Sequence, residues 1–316
     1  MILKFSMFSV IFPGQGSQSV GMARTLYNNH SYIKDLFQKA DEILNFPLSK
    51  IILEGPKEDL DQTENTQPAI FLVSFSIYEM IKRETNLDLS KAKYFAGHSL
   101  GEYSALAATE SLSFDQAVKL LKTRGKAMQY ALPKGEGGML AILGAEIETV
   151  TEILKKNREN YECFIANDNS NGQIVISGKN NDLNLLAEDL KKKTIKNIKL
   201  SVSAPFHCKL MSPATEIMTK EIKNAAFKNP INSIISNVTS TETKESNEIK
   251  ELLIKQIESP VRWRESVLYM IKNGVTKFIE IGPGKVLSGL IKRIDRNVNL
   301  MSVNDLEDLN NIKIDD

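Results

Sequence analysis

The chain is short of cysteine, of net charge and of long apolar runs, and each shortage excludes something. Cys163 and Cys208 are the only cysteines in 316 residues and form no C-x-x-C pair. Nothing suggests a disulfide framework, and a reducing, cytoplasmic setting is expected. The 40 basic and 39 acidic residues leave a net charge of +1, which gives no overall electrostatic footprint for nucleic acid or an anionic membrane. Any charged partner is met locally. No apolar run approaches the roughly 20 residues of a membrane-spanning helix. The stretch 2–12 is apolar enough to imitate a signal peptide, but Lys4 interrupts it, no small-residue cleavage site follows, and it runs straight into a glycine loop. It reads as a first buried strand. The phosphate-loop spacing G-x-x-x-x-G-K-[ST] is missing too. What is present is 42% hydrophobic residues, enough for a substantial core, at a length that suggests about two domains.

The most informative stretch is Gly97-His98-Ser99-Leu100-Gly101. It follows a short apolar run, Tyr94-Phe95-Ala96, and opens a helical pattern at Glu102, the strand, tight turn and helix of a nucleophile elbow. Glycines on either side of Ser99 leave room for a strained serine backbone and a close strand-to-helix crossing. The free amides at the start of that helix favour negative charge, as an attack intermediate on Ser99 requires. The same five residues also fit a plain structural turn.

A second glycine-rich loop, Pro13-Gly14-Gln15-Gly16-Ser17-Gln18, is either a tight turn or a place where bare amides approach a bound group. Helical patterns cover 31–44 and 68–83, the latter with Pro68 in a favoured first-turn position. Another covers 113–132 behind a Ser113-x-x-Gln116 capping box. On it Ala117, Leu121, Met128 and Ala131 form one apolar stripe, with Arg124 in the middle. A guanidinium cannot lose its charge, so Arg124 meets an anion there, forms an internal ion pair, or snorkels out.

After the hinge-like segment 133–138 the pattern changes. Strands at 139–142, 163–166, 173–177 and 195–202, with helices at 148–157 and 182–192, give the order βαββαβ of a ferredoxin-like unit. Strands alternating with helices resume beyond it, so the expected class is α/β. A large domain with a mainly parallel sheet takes residues 1–134 and 205–316, and a small domain is inserted at 135–204. The chain re-enters the large domain at Pro205-Phe206-His207-Cys208, which makes His207 the natural base for Ser99. A structural loop histidine fits the same residues. Cys208 lacks an elbow of its own and reads as an inert thiol.

Five blocks, Phe12-Pro13-Gly14-Gln15-Gly16-Ser17-Gln18, Gly97-His98-Ser99-Leu100-Gly101-Glu102-Tyr103, Arg124-Gly125-Lys126, Pro205-Phe206-His207-Cys208 and Glu280-Ile281-Gly282-Pro283-Gly284, together resemble the malonyl-CoA:acyl carrier protein transacylases in order and spacing. The resemblance spans nearly the whole chain. It implies an α/β-hydrolase-like large domain with an inserted ferredoxin-like small domain. It also implies that Ser99 is the acylated nucleophile and His207 its base, and that the backbone N–H groups of Gln15 and Leu100 form an oxyanion hole. Arg124 would pair with the free carboxylate of the malonyl group, and the backbone carbonyl of Gln256 would orient His207, so no carboxylate third member is expected. His98 would shape the pocket or pack beside it. Asn167 and Asn169, placed in a linker between small-domain strands, would face the coenzyme or thioester arm, or serve as ordinary turn residues.

Where the chain has Ala204-Pro205-Phe206-His207, many members have serine before the histidine. Related polyketide acyltransferases with phenylalanine there tend to take malonyl, because the ring crowds an α-methyl branch. The implied activity is ping-pong transfer of malonyl from malonyl-CoA to the phosphopantetheine thiol of acyl carrier protein, supplying fatty acid synthesis. A cytoplasmic monomer without metal or cofactor is expected, with no nucleic-acid or membrane partner. The run Lys191-Lys192-Lys193, with Lys196 and Lys199, is a solvated face or a docking site for the acidic carrier. Two rivals remain open. A serine esterase or thioesterase needs an acid between Ser99 and His207, where none stands out. A binding module would keep the fold without the chemistry.

Overall fold

The computed structural model describes residues 7–202 and 204–309; the start of the strand expected from Ile2 lies outside them. The described residues form ten strands: β1 (Phe8–Phe12), β2 (Tyr94–Gly97), β3 (Gly137–Leu143), β4 (Cys163–Ser170), β5 (Gln173–Lys179), β6 (Lys196–Lys199), β7 (Ser233–Ile235), β8 (Glu242–Thr243), β9 (Lys277–Ile281) and β10 (Asn299–Val303). Six of them make one sheet in the order β10-β9-β1-β2-β7-β8. All its pairings are parallel except β7 with β8. The two central strands are apolar on both faces, as a parallel strand covered on both sides must be. Val10, Ile11 and Phe12 are fully buried, and each such side chain contributes about 1.5–3 kcal/mol.

In this register Phe12 of β1 lies opposite Gly97 of β2. The Gln15 loop and the elbow therefore leave the sheet side by side at its carboxyl end, where open α/β sheets bind their ligands. Three helices surround that edge: α1 (Thr63–Glu84), α2 (Gly101–Ala108) and α3 (Phe114–Gln129). Helix α1 begins already at Thr63, with Pro68 inside it rather than in its first turn. The Gln62 carbonyl, which accepts the N–H groups of Asn65 and Thr66, starts the helix earlier, and Pro68 then costs only one ladder bond near its start. Helix α3 is capped as expected, with the Ser113 hydroxyl accepting the Gln116 N–H at 3.3 Å, but it ends before Ala131.

The remaining four strands form an antiparallel sheet in the order β4-β5-β3-β6. Alternation sends Leu140 and Ile142 of β3 toward Val150, Leu183 and Leu186 on the helices Ile147–Lys156 and Asn180–Lys192. Met139 and Ala141 face the other way, into the main core with Phe206. Strand β4 runs on to Ser170, so Asn167 and Asn169 stand on a strand and not in a linker. It extends because it is bonded on two sides: to β5, and to Val261, whose N–H donates to Ala166 O at 2.8 Å and whose carbonyl accepts the Asp168 N–H at 3.0 Å. The Asp168 carboxylate adds an ion pair to Arg264 at 2.9 Å. Strand β6 is shorter than the expected 195–202 and lies at the sheet edge, paired to β3 alone. Among the described residues no helix is long and apolar enough to cross a membrane.

Candidate active site

Ser99 sits between the end of β2 and the start of α2 with φ 54°, a left-handed conformation that costs a residue with a side chain about 1–2 kcal/mol. Its two glycines are demanded by contact. A Cβ on Gly97 would fall 1.9 Å from the Gly101 carbonyl carbon, and one on Gly101 would fall 2.4 Å from the Phe12 oxygen. Asn237, just after β7, holds the turn. Its Oδ1 accepts the Ser99 N–H at 2.8 Å and its Nδ2 donates to Gly97 O at 2.8 Å.

The Ser99 Oγ lies 2.8 Å from His207 Nε2, and Nδ1 of the same ring lies 2.9 Å from the backbone oxygen of Gln256. A carbonyl can only accept, so Nδ1 carries the ring proton and Nε2 is the acceptor for the Ser99 hydroxyl. Burial, reinforced by the charge of Arg124, pushes the His207 pKa down to about 3. The imidazole is thus held neutral and ready to receive a proton. Like Ser99, His207 is strained, with φ 59°.

The loop after β1 closes over the elbow so tightly that a Cβ on Gly14 would fall 2.6 Å from His98 O. Among the described residues neither the Gln15 nor the Leu100 backbone N–H has a hydrogen-bond acceptor, whereas the Ser99 N–H is already taken by Asn237. Two unsatisfied amides in the loops flanking a nucleophile are what a developing oxyanion requires.

Arg124 is fully buried, at 0% exposure. Its Nη1 donates to Gln67 Oε1 at 2.8 Å, and its Nη2 donates to Gln256 Oε1 at 2.8 Å and to Ser99 Oγ at 3.2 Å. The guanidinium carbon lies 5.6 Å from the centre of the Tyr103 ring, and Nε has no partner among the described residues. Two neutral amides and an aromatic face thus surround a permanent charge. Glu102 is held one amide away: its Oε2 accepts Gln256 Nε2 at 2.8 Å and the Asn237 N–H at 3.1 Å. Burial pushes the Glu102 pKa up to about 7.

A nucleophile bonded to a neutral imidazole, two free amides and a buried arginine with no acidic partner among the described residues suit acyl transfer. The Acyl transferase domain family matches residues 9–306, and the malonyl CoA-acyl carrier protein transacylase of Bacillus subtilis (strain 168) is 44% identical over 304 residues, 96% of this chain and 95% of the relative. The chain belongs to the malonyl-CoA:acyl carrier protein transacylase family. The transacylase of that name from Haemophilus influenzae is 39% identical over 307 residues, covering 97% of this chain and 98% of its own. Among solved structures, the acyl-carrier-protein S-malonyltransferase of Bartonella henselae superposes with a TM-score of 0.93 at 39% identity, over 96% of this chain and 98% of that one. A malonyl-transacylase solved in complex with its type II PKS acyl-carrier protein gives a TM-score of 0.92 at 35% identity, over 96% and 98%.

Of the residues that the transacylase resemblance singled out, Ser99, His207, Arg124 and the Gln256 carbonyl meet in one hydrogen-bonded cluster. His98 and Asn169 also meet, Nε2 to Oδ1 at 2.8 Å, with the His98 ring 5.8 Å from that of Trp263. Asn167 is buried on β4, paired through its backbone to Val175 and Val261. Phe206 is buried, and its carbonyl accepts the Ser177 hydroxyl at 2.5 Å. Sequence reasoning missed Gln67, Asn237, Glu102 and the side chain of Gln256. Glu102 lies in the stretch 97–103 that carries the family resemblance, and an acid in the otherwise uncharged run 94–108 was a readable sign. Asn237 carries no local sign at all.

Proposed function

We propose that this transacylase carries malonyl from malonyl-CoA to the phosphopantetheine thiol of an acyl carrier protein through a malonyl ester on Ser99. The observation that carries the reading is the position of the Ser99 Oγ, 2.8 Å from the His207 base and 3.2 Å from the Arg124 fork. A substrate whose reacting carbonyl meets Ser99 can place a carboxylate against Arg124 only if a short spacer separates the two, and the single methylene of malonyl provides it. His207 Nε2 takes the hydroxyl proton as Oγ attacks the thioester carbon, and the N–H groups of Gln15 and Leu100 hold the oxyanion. Collapse breaks the C–S bond, and the departing CoA sulfur takes the proton from His207. The carrier thiol then gives its proton to His207, attacks the malonyl ester and restores the Ser99 hydroxyl.

Arg124 also couples binding to basicity. Its charge is the second cause of the depressed His207 pKa, after burial, so a bound carboxylate that neutralises it makes His207 a stronger base at the moment of attack. Phe206, next to the base, is the candidate for excluding a branched extender unit. His98, Asn167 and Asn169 are candidates for the pantetheine side of the pocket.

The wider reading is an α/β-hydrolase-like domain of residues 1–134 and 205–316 with a ferredoxin-like domain inserted at 135–204. The separate antiparallel sheet, with both of its helices on one face, supports that division. We take the enzyme to be a cytoplasmic monomer that needs no cofactor, with the CoA thioester as substrate. The complex between a related transacylase and its acyl-carrier protein supports the carrier as partner. Mass spectrometry of the chain mixed with malonyl-, methylmalonyl- and acetyl-CoA tests the whole reading. A malonyl adduct on Ser99, discharged by holo-carrier, is expected. An unmodified chain would make it a binding module, and steady release of malonate without carrier would make it a thioesterase.

A further inference from the structure

The surroundings of Arg124 are unusual in what they withhold. A buried guanidinium ordinarily meets a carboxylate, because an uncompensated charge in the interior is costly. Here the two fork nitrogens end on amide oxygens, Gln67 Oε1 and Gln256 Oε1, each at 2.8 Å. Both amides are held in that orientation by their other ends. Gln256 Nε2 faces three acceptors, Glu102 Oε2 at 2.8 Å, Ser99 O at 3.2 Å and Asn237 Oδ1 at 3.3 Å. Gln67 Nε2 faces the Met128 sulfur at 3.7 Å. Neither amide can turn round without setting an N–H against the guanidinium. Among the described residues the nearby acid, Glu102, makes no direct hydrogen bond or ion pair with the arginine, and the Gln256 amide is bonded to both.

Resting on the function proposed above, we infer that Gln67 and the side chain of Gln256 determine specificity for a carboxylate-bearing acyl group, by aiming the Arg124 fork with uncharged oxygens and so reserving its charge for the substrate. The arrangement separates two tasks that a carboxylate would merge. An amide oxygen fixes the direction of the fork as well as a carboxylate would, since both accept in the same plane. Only the carboxylate would cancel the charge that the malonyl group is to meet. Gln67, on α1, is therefore a specificity-determining position although it lies outside the nucleophile–base pair, and it acts on the acyl group through Arg124.

The test is the isosteric substitution Gln67→Glu, which sets a carboxylate where the amide stood and gives Arg124 an internal partner. Ser99 acylation by malonyl-CoA and by acetyl-CoA is followed by rapid-quench mass spectrometry, together with KM and kcat for each. The malonyl-to-acetyl ratio of kcat/KM is expected to fall at least about tenfold, through a raised KM for malonyl-CoA, with the melting temperature held or raised. A merely structural glutamine predicts the opposite pattern, equal losses on both thioesters with lower stability, and that result overturns the inference. Gln67→Met gives a second, independent reading, because it removes the aiming oxygen and leaves the charge free. Its ratio should fall by about threefold, less than that of Gln67→Glu; an unchanged ratio, or a fall larger than in Gln67→Glu, also overturns it. Absence of a malonyl adduct from the unsubstituted chain would instead refute the proposed function, and this inference with it.

Discussion

The acid limb of the stability curve tests the buried base directly. His207 is 3% exposed, and burial, with Arg124 beside it, pushes its pKa down to about 3 from an ordinary 6.5. The folded value is the lower one, so the unfolded chain binds the proton first. Stability from this residue is therefore complete above about pH 6.5 and is lost as pH falls from there toward about 3. Each unit below the unfolded value removes about 1.4 kcal/mol, so a step from about pH 7.5 to about pH 5 removes about 2 kcal/mol through this one side chain. His207→Gln abolishes the effect while keeping a polar side chain in place. Urea unfolding of both proteins across that range yields the quantity needed, the stability of the unsubstituted chain minus that of the variant. His98, also pushed down by burial, and Glu102, pushed up by it, titrate in both proteins and cancel to first order. The difference should fall by about 2 kcal/mol toward the acid end. A difference independent of pH would refute the buried neutral base, and one that grew toward low pH would mean that the ring is held as imidazolium.

Arg124→Met should lower malonyl acylation by about three orders of magnitude, since a buried carboxylate left without its cation loses about 3–5 kcal/mol, while acetyl acylation persists. Single-turnover rates with both thioesters decide it, and equal losses would sink the assignment. Gly97→Ala, whose Cβ would fall 1.9 Å from the Gly101 carbonyl carbon, should cost more than about 4 kcal/mol. A variant with unchanged circular dichroism and melting temperature would show that the elbow has room to spare. Asp168→Asn breaks the pair with Arg264, whose side chain is 21% exposed, and should cost about 2 kcal/mol, less than a fully buried pair. Chemical denaturation measures it, and no loss would mean that the Val261 backbone bonds alone hold β4 to the main body.

What could be read in the sequence depended on how local the determinant was. The helix Ser31–Leu44 coincides with its periodic pattern, because that pattern is set by side chains a few positions apart. Asn299–Val303 was not anticipated as a strand. It is half exposed and owes its shape to parallel pairing with β9, a contact that leaves no periodic trace. Asn167 and Asn169 looked like turn residues for the same reason: asparagine is a common turn residue, and the strand they join is completed by Val261, far along the chain. Pro68 misled in the opposite direction, because a proline marks where a helix is able to begin and not where it must.

The site shows the same division more sharply. Periodicity placed Arg124 on the apolar face of α3, where its charge calls for an anion. Glu102, on the helix that packs against α3, is a buried acid that could have served as an internal ion-pair partner. The structure interposes the Gln256 amide instead, brought from 132 positions downstream of Arg124, where no local pattern announces it. The environment of Glu102 agrees with that separation. A carboxylate in direct contact with an arginine has its pKa lowered, whereas Glu102 is raised to about 7, with burial the largest cause and Arg124 the smallest of those that oppose it. The fold therefore bears the cost of a poorly compensated charge, several kcal/mol by general experience of buried ions, where a one-atom change at Gln67 would relieve it. Such a cost persists where function uses it, and here the use is a cation that stays available until a carboxylate arrives on the acyl group.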